Sequence, residues 1–186
     1  SVRWAFTGNS MFSQGTLSDV AFVLASGDGF DIQMQQALAL VSNGLDVSRG
    51  YLCLFGEDNG DIRPQREWCA PGIAPLSRAE SVIPRGELPS LMALLAPGDV
   101  VAVADVAALP EDVRRLLRRQ GAMAVMAAPL VGPEGVFGFI GFDDGRGSRV
   151  WAHADQENLR TVAGLVANAW QRHLLEMRVA ASEAAL

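Results

Sequence analysis

A chain of 186 residues has room for one domain with a full hydrophobic core, and any surplus length is expected at its ends. Its formal net charge of −6 excludes the basic balance that a nucleic-acid footprint needs. Hydrophobic residues make up 49% of the chain, yet no uninterrupted apolar run reaches the ~18 residues of a membrane span. Ser1-Val2-Arg3-Trp4 does not open a signal-peptide pattern, so a cytoplasmic location without membrane contact is expected.

Residues 1–30 mix isolated apolar residues with Gly and Ser and show no sustained period, which reads as an N-terminal arm or connector. Asp31 can cap a helix in which Met34, Leu38, Val41 and Leu45 form an apolar stripe ending near Asn43-Gly44. Tyr51 to Glu57 and Ile62 to Cys69 then read as a hairpin closed by Asn59-Gly60. That pairing sets Cys53 opposite Arg66 and Cys69 opposite Gly50, so the thiols point to opposite faces. A disulfide is not expected unless a bulge shifts the register, in keeping with a reducing compartment.

After the break at Ala70-Pro71-Gly72, Leu88 to Leu95 can form a short helix ahead of Pro97-Gly98, and Val100 to Val106 reads as a strand. Leu109 to Gly121 is a well-punctuated helix: Pro110 at its first position, Glu111 and Asp112 in the first turn, Gly121 as stop, and Val113, Leu116 and Leu117 as the buried face. Ala122 to Leu130 and Val136 to Phe142 form a second hairpin across residues 131–135. Val136, Ile140 and Phe142 share one face, Phe137 and Phe139 the other, so this strand is interior, and Gly138 and Gly141 admit close approach.

The last helix follows an Asp143-Asp144-Gly145-Arg146-Gly147 turn, with Ala152 a poor cap and Asp155 and Glu157 in its first turn. Its stripe of Leu159, Val162, Val166, Ala169 and His173 can pack on a sheet or pair with a partner helix. Together these elements imply an α+β fold, terminal helices on one sheet face and connecting segments on the other, where they would roof a pocket. The domain is expected over residues 31–175, with 176–186 extending its last helix.

The side chains that carry chemistry are few. Arg114, Arg115, Arg118 and Arg119 read as a solvated helix face before an anion clamp. Trp68 is either a stacking platform for a planar ligand or a core aromatic, and Met92, Met123 and Met126 either line an adaptable pocket or fill the core. Cys69 reads as structural, with oxidation sensing beside Arg66 or Arg78 as the alternative. His153 and His173 lack metal-ligand spacing, so no metal is expected. Asp143-Asp144 is placed in a turn for backbone reasons, leaving no catalytic residues.

Read in order, Arg49-Gly50-Tyr51-Leu52-Cys53-Leu54-Phe55, Glu67-Trp68-Cys69-Ala70-Pro71-Gly72, Gln120-Gly121, Ala128-Pro129-Leu130 and Gly138-Phe139-Ile140-Gly141-Phe142-Asp143 followed by Trp151 resemble the GAF family of small-molecule sensor domains. The likeness runs from about Asp31 to His173. It implies a central antiparallel sheet of five or six strands, a ligand under the connecting segments, and a homodimer formed through the terminal helices. On that basis Trp68, Leu91, Met92, Leu95, Val103, Ala124 and Met126 are the expected ligand contacts. Met34, Leu38, Val41, Leu159, Val162, Val166, Ala169 and His173 are the expected dimer interface.

The resemblance is strongest to sensory domains of bacterial histidine kinases and diguanylate cyclases. The chain carries neither output signature, so a regulatory rather than enzymatic role is expected. It departs from the cyclic-nucleotide pattern, from the Cys-His context of bilin attachment and from the cysteine set of free methionine sulfoxide reductases. Cyclic nucleotide, bilin and haem are therefore disfavoured and no cofactor is expected. A ligand-free dimerisation module, or a thiol sensor using Cys53 or Cys69, are the alternatives.

Overall fold

The structure is a computed structural model that describes residues 12–57, 60–76 and 82–186. Residues 1–11 of the arm expected over 1–30 and the Asn59 position of the first hairpin turn lie outside the described residues. Five antiparallel strands, β1 (Arg49–Phe55), β2 (Ile62–Cys69), β3 (Val101–Val103), β4 (Ala124–Gly132) and β5 (Gly135–Asp144), form one sheet in the order β2-β1-β5-β4-β3. The central strand is β5, as its two apolar faces require.

One face carries three helices: α1 (Gln14–Leu24), α2 (Phe30–Leu45) and α5 (His153–Ala184). The other carries the short α3 (Pro89–Leu95) and α4 (Glu111–Arg119), with single 3-10 turns at Arg85–Glu87 and Val106–Ala108. Leu52, Ala124, Met126, Ala128, Ile140 and Phe142 point to the three long helices, while Cys53, Ala127 and Phe139 point to the short ones.

Part of the segment expected as an arm is helical. Ser13 caps α1 by accepting from the Thr16 N–H, and Phe12, Val20 and Leu24 enter the main core. Phe12 is fixed to α5 on both sides of its peptide: its N–H donates to Asp155 Oδ1 at 3.0 Å, and its carbonyl accepts from Asn158 Nδ2 at 2.9 Å. Gly29, not Asp31, occupies the N-cap of α2, and Asp31 sits in its first turn, where the dipole favours a carboxylate. Pro110 likewise takes the N-cap of α4 rather than its first helical position.

The largest correction concerns the terminal helices. Met34, Leu38, Val41, Leu159, Val162, Val166 and Ala169 are each at most 3% exposed and pack into the domain's own core. His173 stacks on Phe30 at 5.2 Å between ring centroids. The stripes expected to meet a second copy are satisfied by the sheet, because an amphipathic period specifies an apolar partner without saying which one.

The first hairpin also departs from its expected register. Arg49 pairs with Cys69, Gly50 with Trp68 and Leu52 with Arg66, and then a bulge adds Gln65 so that Cys53 meets Pro64. Trp68 therefore packs on the helix-side core, away from Tyr51 and Cys53. Cys69 shares its face with Arg49, Tyr51 and Cys53, but both cysteines are free. A second bulge, at Leu130/Val131, makes Phe137 the extra residue of β5 and turns it to the helix side, unlike Phe139. The turn between β4 and β5 is only Pro133-Glu134, followed by Gly135 at φ 108°, and β5 runs on through Asp143 and Asp144, which are strand residues and not turn residues.

Close approach at Gly138 and Gly141 is used by the neighbouring strand rather than by a helix or ligand. A Cβ on Gly141 would stand 2.3 Å from the Tyr51 ring, and one on Gly138 2.4 Å from the Cys53 carbonyl oxygen. Gly141→Ala is expected to cost about 1–3 kcal/mol through displacement of Tyr51, read as a lower urea midpoint. An unchanged midpoint would mean that the Tyr51 ring moves aside freely.

Candidate functional site

A cavity of about 90 Å³ lies between the outer face of the sheet and the segments that cross it. Tyr51, Cys53, Glu67, Val101, Val125, Ala127 and Phe139 form its floor. Ile83, Leu88, Leu91, Leu94 and Leu95 from around α3, and Leu109, Val113, Leu116, Leu117 and Gln120 from around α4, form its roof. Alternation explains the floor: Val125 and Ala127 of β4 face the cavity while Ala124, Met126 and Ala128 face the helices. The roof is tied together where the Ser90 N–H donates to Asp112 Oδ2 at 3.0 Å, a bond that holds the Asp112 carboxyl below its usual value.

Of the seven residues expected at the ligand, Leu91 and Leu95 line this cavity. Met92 packs on the same apolar cluster, and Val103 packs beside Val106 and Val125. Trp68, Ala124 and Met126 lie on the opposite face of the sheet. A larger groove of about 470 Å³ beside the α1–α2 loop is open and mixed in charge, lined by Asp28, Arg172, His173 and Glu176 among others.

The cavity ends at a cluster of charges that composition alone did not single out. Arg49, 6% exposed, sits on β1 with Nη1 donating to the Gln120 carbonyl at 3.1 Å and Nη2 to the Ala74 carbonyl at 3.0 Å. It lies 3.5 Å from Asp143 Oδ2 and 3.7 Å from Glu67 Oε2, ion-pair distances at which neither Arg49 Nε nor Asp143 Oδ2 gains a hydrogen bond. Glu67 accepts from the Leu76 N–H through both oxygens, at 3.1 and 3.2 Å, and from the Cys69 thiol at 3.4 Å.

Burial pushes the Asp143 carboxyl up to about 6 even though Arg49 pulls it down. Burial also pushes the Cys53 thiol up to about 12 and raises Cys69, where Glu67 adds to the effect, and Tyr51. Both thiols are thereby kept from the reactive thiolate form, which counts against the thiol-sensor alternative.

The remaining charged motifs are structural. Asp144 accepts from Arg146 at 2.9 Å and from Arg149 at 3.3 Å, and Arg149 lies over Trp151, whose Nε1 donates to the Val103 carbonyl at 3.1 Å. On α4, Arg115 pairs with Glu111 and Arg114 donates to the Leu109 carbonyl, so these arginines do not form a clamp. Among the described residues no group of three or more His, Cys, Asp or Glu could hold a metal ion, and no helix is long and apolar enough to cross a membrane.

A five-stranded antiparallel sheet with long terminal helices on one face and a roofed cavity on the other is the architecture of an α+β sensor domain. The chain belongs to the GAF domain family, which it matches over residues 30–172, a sensory family found in signalling proteins. Over 64 residues it is 34% identical to the methanogenesis regulatory histidine kinase FilI of Methanothrix harundinacea; the match covers 34% of this chain but 7% of that kinase.

The fold is similar to a protein solved in its far-red-absorbing dark state with bound biliverdin (TM-score 0.75, 14% identity, 85% of this chain and 98% of that one). It is also similar to the phycoerythrobilin-bound GAF domain of a cyanobacterial phytochrome (TM-score 0.74, 16% identity, 88% and 96%). A third likeness is to the blue-light-absorbing PixJ GAF domain of Thermosynechococcus elongatus (TM-score 0.65, 20% identity, 91% and 95%).

These likenesses overturn the expectation that set bilins aside and foresaw no cofactor: the two bilin-bound proteins share this fold over most of its length. That exclusion rested on the local context of one cysteine and one histidine, which does not measure what the fold accommodates.

Proposed function

We propose that this domain is the ligand-sensing part of a cytoplasmic signalling protein. A small, predominantly apolar molecule binds between the sheet and the α3–α4 roof, and α5 passes the occupied state to an output domain of the histidine kinase or diguanylate cyclase type outside this chain. The observation that carries this reading is the apolar cavity of about 90 Å³ between the sheet and its α3–α4 roof.

The floor strands alternate cavity contacts with contacts to α2 and α5, so a ligand that spreads the sheet from one side is felt on the other. The ligand can shift the helices only by binding their two arrangements with different affinity. Apolar walls and the Cys53 thiol suit part of a linear tetrapyrrole. The present room is below the ~150 Å³ cavity that takes up benzene, so a group of that size requires the roof to move outward.

Dimerisation, in this reading, uses what the core leaves free. Leu174, Met177 and Ala181 recur at three and four residues, the spacing of a two-helix seam. Beside them Leu175, Met177 and Val179 are 59%, 55% and 57% exposed.

Ala127→Leu places extra carbons in the cavity from its floor. It is expected to leave the domain folded while abolishing the thermal stabilisation produced by an occupant, tested with apolar toluene and with the larger dicarboxylate biliverdin. A ligand at a hundredfold excess over its dissociation constant adds about 2.7 kcal/mol, or roughly 5–10 °C in a domain of this size. Melting curves that neither compound moves in the unsubstituted protein would remove the sensing role and leave a ligand-free dimerisation module.

A further inference from the structure

The polar end of the cavity narrows the class of ligand, on the reading that the cavity is the ligand site. Tyr51 and Glu67 face each other across the β1–β2 pair and are, with Gln120, the cavity's principal hydrogen-bonding side chains. An ionised carboxylate only accepts hydrogen bonds and has about four sites for them. Glu67 uses its oxygens for the Leu76 N–H and the Cys69 thiol, so capacity remains. The Tyr51 hydroxyl and the Gln120 side-chain amide make no hydrogen bond with the described residues.

Arg49 does not line the cavity. Its two terminal nitrogens donate to the Gln120 and Ala74 carbonyls, and it lies between the carboxylates of Glu67 and Asp143. One cation set between two carboxylates leaves this end of the cavity receptive to a donor or a positive charge and repellent to an anion.

We infer that the cavity takes a small apolar molecule ending in a hydrogen-bond donor, a hydroxyl or an amine, which donates to Glu67 beside the Tyr51 hydroxyl while its apolar body lies among Leu91, Leu95, Val125 and Phe139. A ligand bearing a carboxylate or phosphate at that end is rejected. The inference concerns which molecules are retained, whereas the cavity reading concerns only whether any are.

Toluene, phenol, aniline and benzoate have nearly the same shape and differ in the group presented to this end. Titrating each into the intact chain by calorimetry is expected to give phenol and aniline at least about tenfold tighter than toluene, the scale of one hydrogen bond to a charged acceptor, and benzoate weaker than toluene. Glu67→Gln is expected to narrow the advantage of aniline, and Tyr51→Phe that of phenol. If a variant fails to fold by circular dichroism, the order of the four compounds on the unsubstituted protein decides alone. Equal binding of toluene and phenol, or a preference for benzoate, overturns the donor-ended ligand and leaves the apolar site standing. No binding by any of the four overturns both.

Discussion

Val166→Asp is expected to abolish the folded state. Val166 is 1% exposed on α5, inside the cluster that also holds Met34, Leu159, Val162 and Ala169. Its replacement puts a carboxylate among side chains that offer neither a cation nor a hydrogen-bond donor. An unpaired charge there costs several kcal/mol, against a total stability of about 5–15 kcal/mol for a domain. Circular dichroism and urea titration should show an unfolded chain or a loss above about 4 kcal/mol. Met177→Asp, on the same helix at 55% exposure, should leave the monomer's stability within about 0.5 kcal/mol and report on association alone. A Val166→Asp protein with an unchanged midpoint would mean that this stripe does not hold α5 to the sheet.

The pair separates two things that the α5 sequence carries in one pattern. Apolar spacing identifies the buried face of α2, α4 and α5, since a helix must turn its apolar stripe somewhere. It does not distinguish a sheet of the same chain from a helix of another copy, which is why Met34 to Ala169 read as an interface and proved to be core. The strands were legible for a related reason and failed at a definite place. Alternation has a period of two, so each bulge inverts the facing of everything beyond it. Gln65 and Phe137 are the extra residues here, and neither has a composition that marks it as one.

Trp68 was consequently placed with Tyr51 and Cys53 instead of with the helices. In β4 the difficulty is different: Ala124 to Leu130 is apolar on both faces, so alternation alone cannot say whether Met126 or Ala127 meets the cavity. The polar end of the site was hidden by its surroundings. Asp143 stands in an Asp-Asp-Gly run that composition assigns to a turn, and its partner Arg49 is 94 positions earlier. What could have exposed it is that both are charged residues at the end of an interior, two-faced apolar strand, where burial without a partner is untenable.

Arg49→Met is expected to show that dependence as a function of pH. The Asp143 carboxyl is raised to about 6 by burial, above the ~3.9 of an unfolded aspartate. Between those values the native state holds the proton that the unfolded chain has released. Stability from this group is therefore fully present below about pH 4 and is lost as pH rises through 6, a decline of about 3 kcal/mol over the span. Asp143→Asn removes the titration, so the difference between the unsubstituted protein and this variant should fall over that window while other carboxylates cancel.

Removing Arg49 takes away the guanidinium that, among the described residues, lies between Asp143 and Glu67. The cost should reach about 3–5 kcal/mol near pH 7.5, where Asp143 in the unsubstituted protein is ionised beside the guanidinium. It should shrink near pH 4.5, where Asp143 is protonated. Urea midpoints of the two proteins at both pH values read this directly. A cost for Arg49→Met that is equal at the two pH values would place the pH dependence outside the Arg49–Asp143 pair, because protonating Asp143 then relieves nothing that the guanidinium had been holding.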